Sequence, residues 1–156
     1  MKHTLIPIAV IALLSVSCGN NGQPKLGFTD PTVGEYDSLT IVDTNDAGGP
    51  ATVVYHSGKS KIVRQYYSDH SLRCEGTVID SLREGHWVFY FPGGNIQAEA
   101  TFVGGRENGP YRVYRENGAP YYIGQYTMGV RTGLWEVYDQ EGNLVTTQDY
   151  GTPTKH

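Results

Sequence analysis

The chain has 156 residues and a formal charge of −4, with 38% hydrophobic and 18% charged side chains, 12 tyrosines and 20 glycines. That length accommodates one domain with a core able to fold alone. The acidic balance lacks the basic surplus of a nucleic-acid binder. Many tyrosines and glycines with few charges point to an all-β fold of aromatic-studded strands broken by tight turns.

Lys2 precedes an apolar run from Leu5 to Val16. A helix needs roughly 20 such residues to span a bilayer, so this run is too short, and residues 1–17 read as an export signal that is removed. Leu14-Ser15-Val16-Ser17-Cys18 resembles a bacterial lipobox, in which the cysteine is acylated and becomes the new N-terminus. It departs from the usual pattern in that Leu14 stands four places before the cysteine. The alternative is an ordinary small-x-small signal, Ser15-x-Ser17, cut at the same bond without lipid. Either way the mature chain begins at Cys18 in the cell envelope, outside the cytoplasm. Acylation there would anchor it to the membrane without a spanning helix, at ~0.8 kcal/mol per buried methylene. Residues 18–36 hold Pro24, Pro31 and four glycines without periodicity, and read as a flexible tether.

The rest of the chain repeats. Gly85, Gly109 and Gly133 open units 24 residues apart. Trp87, Tyr111 and Trp135 fall two places on, Tyr90, Tyr114 and Tyr138 five on, and Gly94, Gly118 and Gly142 nine on. Phe102, Tyr126 and Tyr150 close the pattern. A fixed period in this range marks a repeat array. Weaker units begin near Lys61, with His70 in place of the turn glycine, and near Asp37, with Asn45 to Pro50 as its turn. The array spans 37–150, in units near 37, 61, 85, 109 and 133, followed by a tail over 151–156. Terminal units of such arrays are often atypical because they cap the stack.

Each unit reads as two strands joined by a turn: residues 86–91 are β-branched and aromatic, and Pro92-Gly93-Gly94-Asn95 is turn chemistry. The second strand alternates, with Ile96, Ala98, Ala100 and Phe102 on a core face and Gln97, Glu99 and Thr101 in water. In the first strand Trp87 and Phe89 share one face, and Tyr90 takes the other. Tyr66, Tyr90, Tyr114 and Tyr138 therefore form a candidate exposed ladder. Stacked cross-strand aromatics would stabilise the sheet by ~0.2–1 kcal/mol per pair, or the rings would offer a protein partner a sticky surface.

Candidates for chemistry are few. Cys74 aligns with Ala98, Tyr122 and Thr146 and reads as a core filler. His56, His70 and His86 lack metal-ligand spacing, so no metal or other cofactor is expected. Glu75 and Glu99 align one repeat apart and read as solvated surface, or as the carboxylates of a hydrolase acting on envelope polymers. Lys59, Arg83, Arg106 and Arg131 are placed in successive inter-repeat turns, as a basic row that could meet lipid phosphates at ~1 kcal/mol per cation.

The run G-x-W/Y-x-x-Y-x-x-x-G-x-hydrophobic, followed by an aromatic and then G-x-x-x-G, resembles bacterial MORN-repeat variants over roughly Val54 to Tyr150. Exported proteins of this kind are often labelled YwqK-type antitoxins. The resemblance implies an elongated antiparallel β-meander of stacked hairpins of about 24 residues. It also implies a scaffold that associates with proteins or membranes rather than an enzyme.

Overall fold

The computed structural model describes residues 36–44, 46 and 50–152, together with the backbone of Leu5–Ile6. Cys18, most of the export signal, the tether, most of the Asn45–Pro50 turn and residues 153–156 lie outside the described residues. The strands are β1 (Leu5–Ile6), β2 (Ser38–Thr44), β3 (Pro50–Ser57), β4 (Ser60–Tyr66), β5 (Leu72–Ile79), β6 (Leu82–Tyr90), β7 (Ile96–Val103), β8 (Arg106–Tyr114), β9 (Pro120–Thr127), β10 (Val130–Tyr138) and β11 (Leu144–Asp149). They form one sheet in chain order, each antiparallel to the next, with β1 and β11 at its open edges. No helix occurs among the described residues, so none there is long and apolar enough to cross a membrane. This is the all-β meander of stacked hairpins that the family resemblance implies. From β2 onward the strands fall two to a unit. The edge near Leu39 is met by two residues of the signal stretch, Leu5 opposite Thr40 and Ile6 opposite Leu39.

Two turn types alternate along the chain. Within units the loops are alike: Phe91 N–H bonds Asn95 O, Arg115 N–H bonds Ala119 O and Asp139 N–H bonds Asn143 O. Each needs a left-handed residue at its fourth position, supplied by Gly94, Gly118 and Gly142 at φ 85°, 83° and 84°. His70 holds the same place in the preceding unit at φ 67°. Between units the connections are two-residue hairpins, with both central residues at positive φ in Asp80-Ser81, Gly104-Gly105 and Met128-Gly129 and only the glycine so in Gly58-Lys59.

Two recurrent bulges bend this ladder. The opening glycines Gly85, Gly109 and Gly133, all at positive φ, lie where the register slips at the start of β6, β8 and β10. A second slip near the in-unit turn skips Arg73, Gln97, Tyr121 and Val145. It places Ile96 opposite Tyr90 rather than in line with Ala98, which corrects the simple alternation read from the sequence. An extra residue of this kind leaves the pairing intact on either side but bends and twists the strand.

One face carries the core. Cys74, Trp87, Ala100 and Phe102 are buried together, with Val63, Val78, Phe89 and Tyr111 packed against them. Trp87 lies flat on Gly76, where an added Cβ would come within 2.2 Å of the ring, and Trp135 lies on Gly124 at the same distance. Each indole N–H donates to a neighbouring backbone carbonyl, Trp87 to Thr77 O at 3.1 Å and Trp135 to Gln125 O at 3.2 Å. The glycine seat and the satisfied donor together hold the tryptophans only 3% and 4% exposed in a sheet that has no second layer among the described residues.

Candidate functional site: the tyrosine face and the tryptophan face

The opposite face is organised by register. Pairing brings Arg64, Glu75, Val88, Glu99, Arg112, Ile123 and Glu136 into one row across β4 to β10. The tyrosine column stands beside this row, two residues further along every second strand. Its rings do not stack on one another, because a whole strand separates successive members. That corrects the stacked, exposed ladder: all four tyrosines are half-buried, and the hydroxyls of three of them are tied to carboxylates. Tyr90 Oη donates to Glu75 Oε1 at 3.0 Å, Tyr114 Oη to Glu99 Oε2 at 2.9 Å and Tyr138 Oη to Glu136 Oε2 at 2.7 Å. The last bond departs from the pattern because Ile123 occupies the position of Glu75 and Glu99, so Tyr138 takes a carboxylate of its own strand. Tyr66 has Val53 at that position, opposite Arg64, and lies beside Tyr55 and Arg64 instead.

Glu75 and Glu99 are therefore not solvated surface; they are 7% and 5% exposed. The pairing partners explain why the sequence misleads. Glu75 also accepts from Arg64 Nε at 3.1 Å, and Glu99 stands 3.5 Å from His86 Nε2. A buried carboxylate requires such donors, and among the described residues no buried side-chain N or O lacks a partner. The environment acts back on the phenols. Burial and then the Glu75 charge push Tyr90 up, and burial and the bond to Glu99 push Tyr114 up to about 12. Tyr66 is pushed to about 12, chiefly by burial, and the hydrogen bond to Glu136 raises Tyr138.

The basic row takes a different form from the one expected. Only Lys59 sits in an inter-repeat turn; Arg106 begins β8, and Arg83 and Arg131 lie within β6 and β10. The Arg83 guanidinium lies over Trp87 at 4.6 Å and the Arg131 guanidinium over Trp135 at 4.5 Å, four residues before each indole in sequence. The middle unit has Glu107 at this position. Gly76, Trp87 and Arg83 thus form a three-layer stack, and Gly124, Trp135 and Arg131 repeat it, a packing favourable to both ring and cation. Arg83 and Arg131 have no carboxylate partner among the described residues. The recurrence of a small residue at 76, 100 and 124 is the signal in the sequence that points to the stack.

Cys74 is 3% exposed, its thiol hydrogen-bonded to Gln65 Oε1 at 3.3 Å and its pKa raised by burial, as a core filler requires. His56 pairs with Thr40 at 3.0 Å. His70 is a turn residue and His86 faces Glu99. The described residues contain no cluster of three or more metal-ligating side chains. A hollow of about 330 Å³ opens on the tryptophan face over β10 and β11, with Trp135 and Val137 in its floor and Tyr122, Arg131 and Tyr150 around it.

Residues 83–103, the greater part of the β6–β7 hairpin, match the MORN repeat variant family. The chain is thus an all-β repeat protein that carries a MORN repeat variant. MORN repeats are commonly membrane- or protein-binding modules. No curated protein matches this chain.

Proposed function

We propose that the chain is a non-enzymatic bacterial envelope protein, anchored by an acylated Cys18, whose array serves as a protein-binding or scaffolding surface. The observation that supports this reading is the tyrosine column. Its rings recur at one repeat spacing on an open sheet face, and each of Tyr90, Tyr114 and Tyr138 is held by a carboxylate bond. Rings fixed before contact lose little conformational freedom on binding, which is the usual advantage of tyrosine at an interface. An exported chain has no route to a cytoplasmic toxin, so the antitoxin role is set aside. The test is capture of envelope proteins by the native chain and by a triple Tyr90→Ser, Tyr114→Ser, Tyr138→Ser variant, with melting curves for both. Loss of a specific partner from a folded variant is expected; the same partners on both proteins would overturn the assignment. Intact mass of the membrane-extracted protein tests Cys18, where the mass of added acyl chains is expected.

The two carboxylate-free arginines favour one second reading, direct contact with anionic phospholipid. Arg83 and Arg131 lie four strands apart on one face, roughly 19 Å at the usual strand spacing. Flotation of a Cys18-less chain with phosphatidylglycerol vesicles should weaken in salt and on Arg83→Gln and Arg131→Gln substitution. Flotation indifferent to salt and to both changes excludes it. A hydrolase using Glu75 or Glu99 is the least favoured reading, since both carboxylates are buried and hydrogen-bonded.

A further inference from the structure

The hollow over β10 and β11 differs from the equivalent place two units earlier in a way that gives it a chemistry. There the framework is Arg83, Trp87, Phe102, Ala98 and Ala100, and Tyr111 of the following strand packs onto it. Here Arg131 and Trp135 recur in the same stack, but Tyr150, Thr146 and Gln148 replace Phe102, Ala98 and Ala100. Three apolar positions have become hydrogen-bonding ones, and no described strand lies beyond β11 to cover them. These polar groups are linked: Arg131 Nη1 donates to Tyr150 Oη at 3.2 Å, and Tyr150 Oη donates to Gln148 Oε1 at 3.3 Å. Committing the Gln148 oxygen to Tyr150 leaves its NH2 group, which can only donate, without an acceptor among the described residues. Arg131 is exposed; the Tyr126 and Tyr150 hydroxyls both hydrogen-bond its guanidinium, which keeps further N–H groups and meets no carboxylate among the described residues, and no acidic side chain lines the hollow.

We propose that this hollow is a binding site for a small monocarboxylate carried on a flat apolar body. The single guanidinium supplies one positive charge, which matches a carboxylate rather than a phosphate dianion. Its planar fork suits a carboxylate held by two parallel bonds. The Gln148 amide and the Thr146 hydroxyl provide neutral donors beside it. The rings of Tyr122 and Tyr150 and the Val137 side chain face an apolar body. At about 330 Å³ the space is near the lower end for small-molecule sites. A solvated sheet edge also explains polar residues on β11, but does not by itself place a cation without a carboxylate partner, an amide donor and two phenol rings around one hollow. The site is separate from the tyrosine face and stands or falls independently of the partner-binding reading.

The chain has two tryptophans, so Trp87→Phe leaves Trp135 as the reporter. Titration of that variant with phenylacetate is expected to change the Trp135 emission saturably. Phenylacetamide, with the same body and no charge, should bind at least about tenfold more weakly, a difference of ~1.4 kcal/mol. Arg131→Gln should weaken phenylacetate by a similar factor, whereas Arg83→Gln, in the matching stack that has no such hollow, should leave it unchanged. The acid-against-amide comparison uses one folded protein and does not depend on how the arginine variants fold. Equal binding of acid and amide, no saturable change with phenylacetate, or undiminished binding by Arg131→Gln would each overturn the proposal.

Discussion

Tyr66, Tyr90 and Tyr114 hold their protons more tightly in the folded chain than a free phenol does, because burial and nearby carboxylates oppose a phenolate. The sign of the linkage follows. The unfolded chain releases these protons near pH 10, while folded Tyr66 and Tyr114 release theirs at about 12. Between those values the folded state binds more protons than the unfolded one, so stability is fully present below about pH 10 and falls as pH rises towards about 12. Urea unfolding across this range is expected to show that fall, and Tyr114→Phe to reduce its steepness; a profile as steep in the variant would remove Tyr114 from the account. The glycine seats work by space instead. Gly124→Ala would put a carbon 2.2 Å from the Trp135 ring, and displacing a packed indole costs about 1–3 kcal/mol. Adding Trp135→Tyr should restore part of the loss, because Ala100 beside Tyr111 is the same pair in the middle unit. Thermal melts of the single and double variants check this; a double variant no more stable than the single one counts against the seat. At this scale the sequence showed residue classes well, including Cys74 as a filler. It showed burial poorly: Glu75 and Glu99 were placed in water because their partners, Tyr90 and Arg64 for one and Tyr114 and His86 for the other, lie on other strands.

The hairpin is the element that repeats, and its turns are the most legible part of it. Glycine at the ninth place of a unit serves a left-handed backbone, and His70 shows what happens without it. At φ 67° a side chain is held in a conformation that costs ~1–2 kcal/mol. A glycine would relieve that strain while losing ~0.5–1 kcal/mol of unfolded-state entropy. His70→Gly is thus expected to raise stability by roughly 0.5–1 kcal/mol, read as a shift of the urea midpoint at constant slope. No shift, or a fall, would mean that the imidazole makes a compensating contact. The bulges were not legible. Strand alternation in the sequence has period two, and a skipped residue such as Gln97 leaves the residues on either side looking regular. Only the partner strand reveals that Ile96 faces Tyr90. The arginines show the same limit: the repeat spacing places Arg83 and Arg131 in turns, yet they are the second residues of the strands whose tryptophans they cover.

Across the whole molecule, burial is uneven. Most of the buried side chains lie in β5, β6, β7 and β10, whereas every residue of β11 is exposed. In a linear array each unit is stabilised mainly by its neighbours, so the ends open first. Hydrogen exchange should therefore be slowest in β6 and β7 and fastest in β11; uniform protection would show that the array opens only as a whole. The same open geometry leaves both faces accessible over much of their area, the condition for a surface that binds along its length.

The sequence by itself determined the period, the hairpin and the in-unit turn. All of these depend on interactions between residues near one another in the chain, and the repeat states them several times. Tertiary structure alone decided which carboxylate meets which tyrosine, which arginine lies over which ring, and that a polar hollow opens beside Trp135. Those contacts cross strands, and their register is set by bulges, two in each of the three units from Gly85 onward, whose position follows from pairing rather than composition. A shift of one residue exchanges the faces of a strand, so local pattern could describe the repeat without locating its sites.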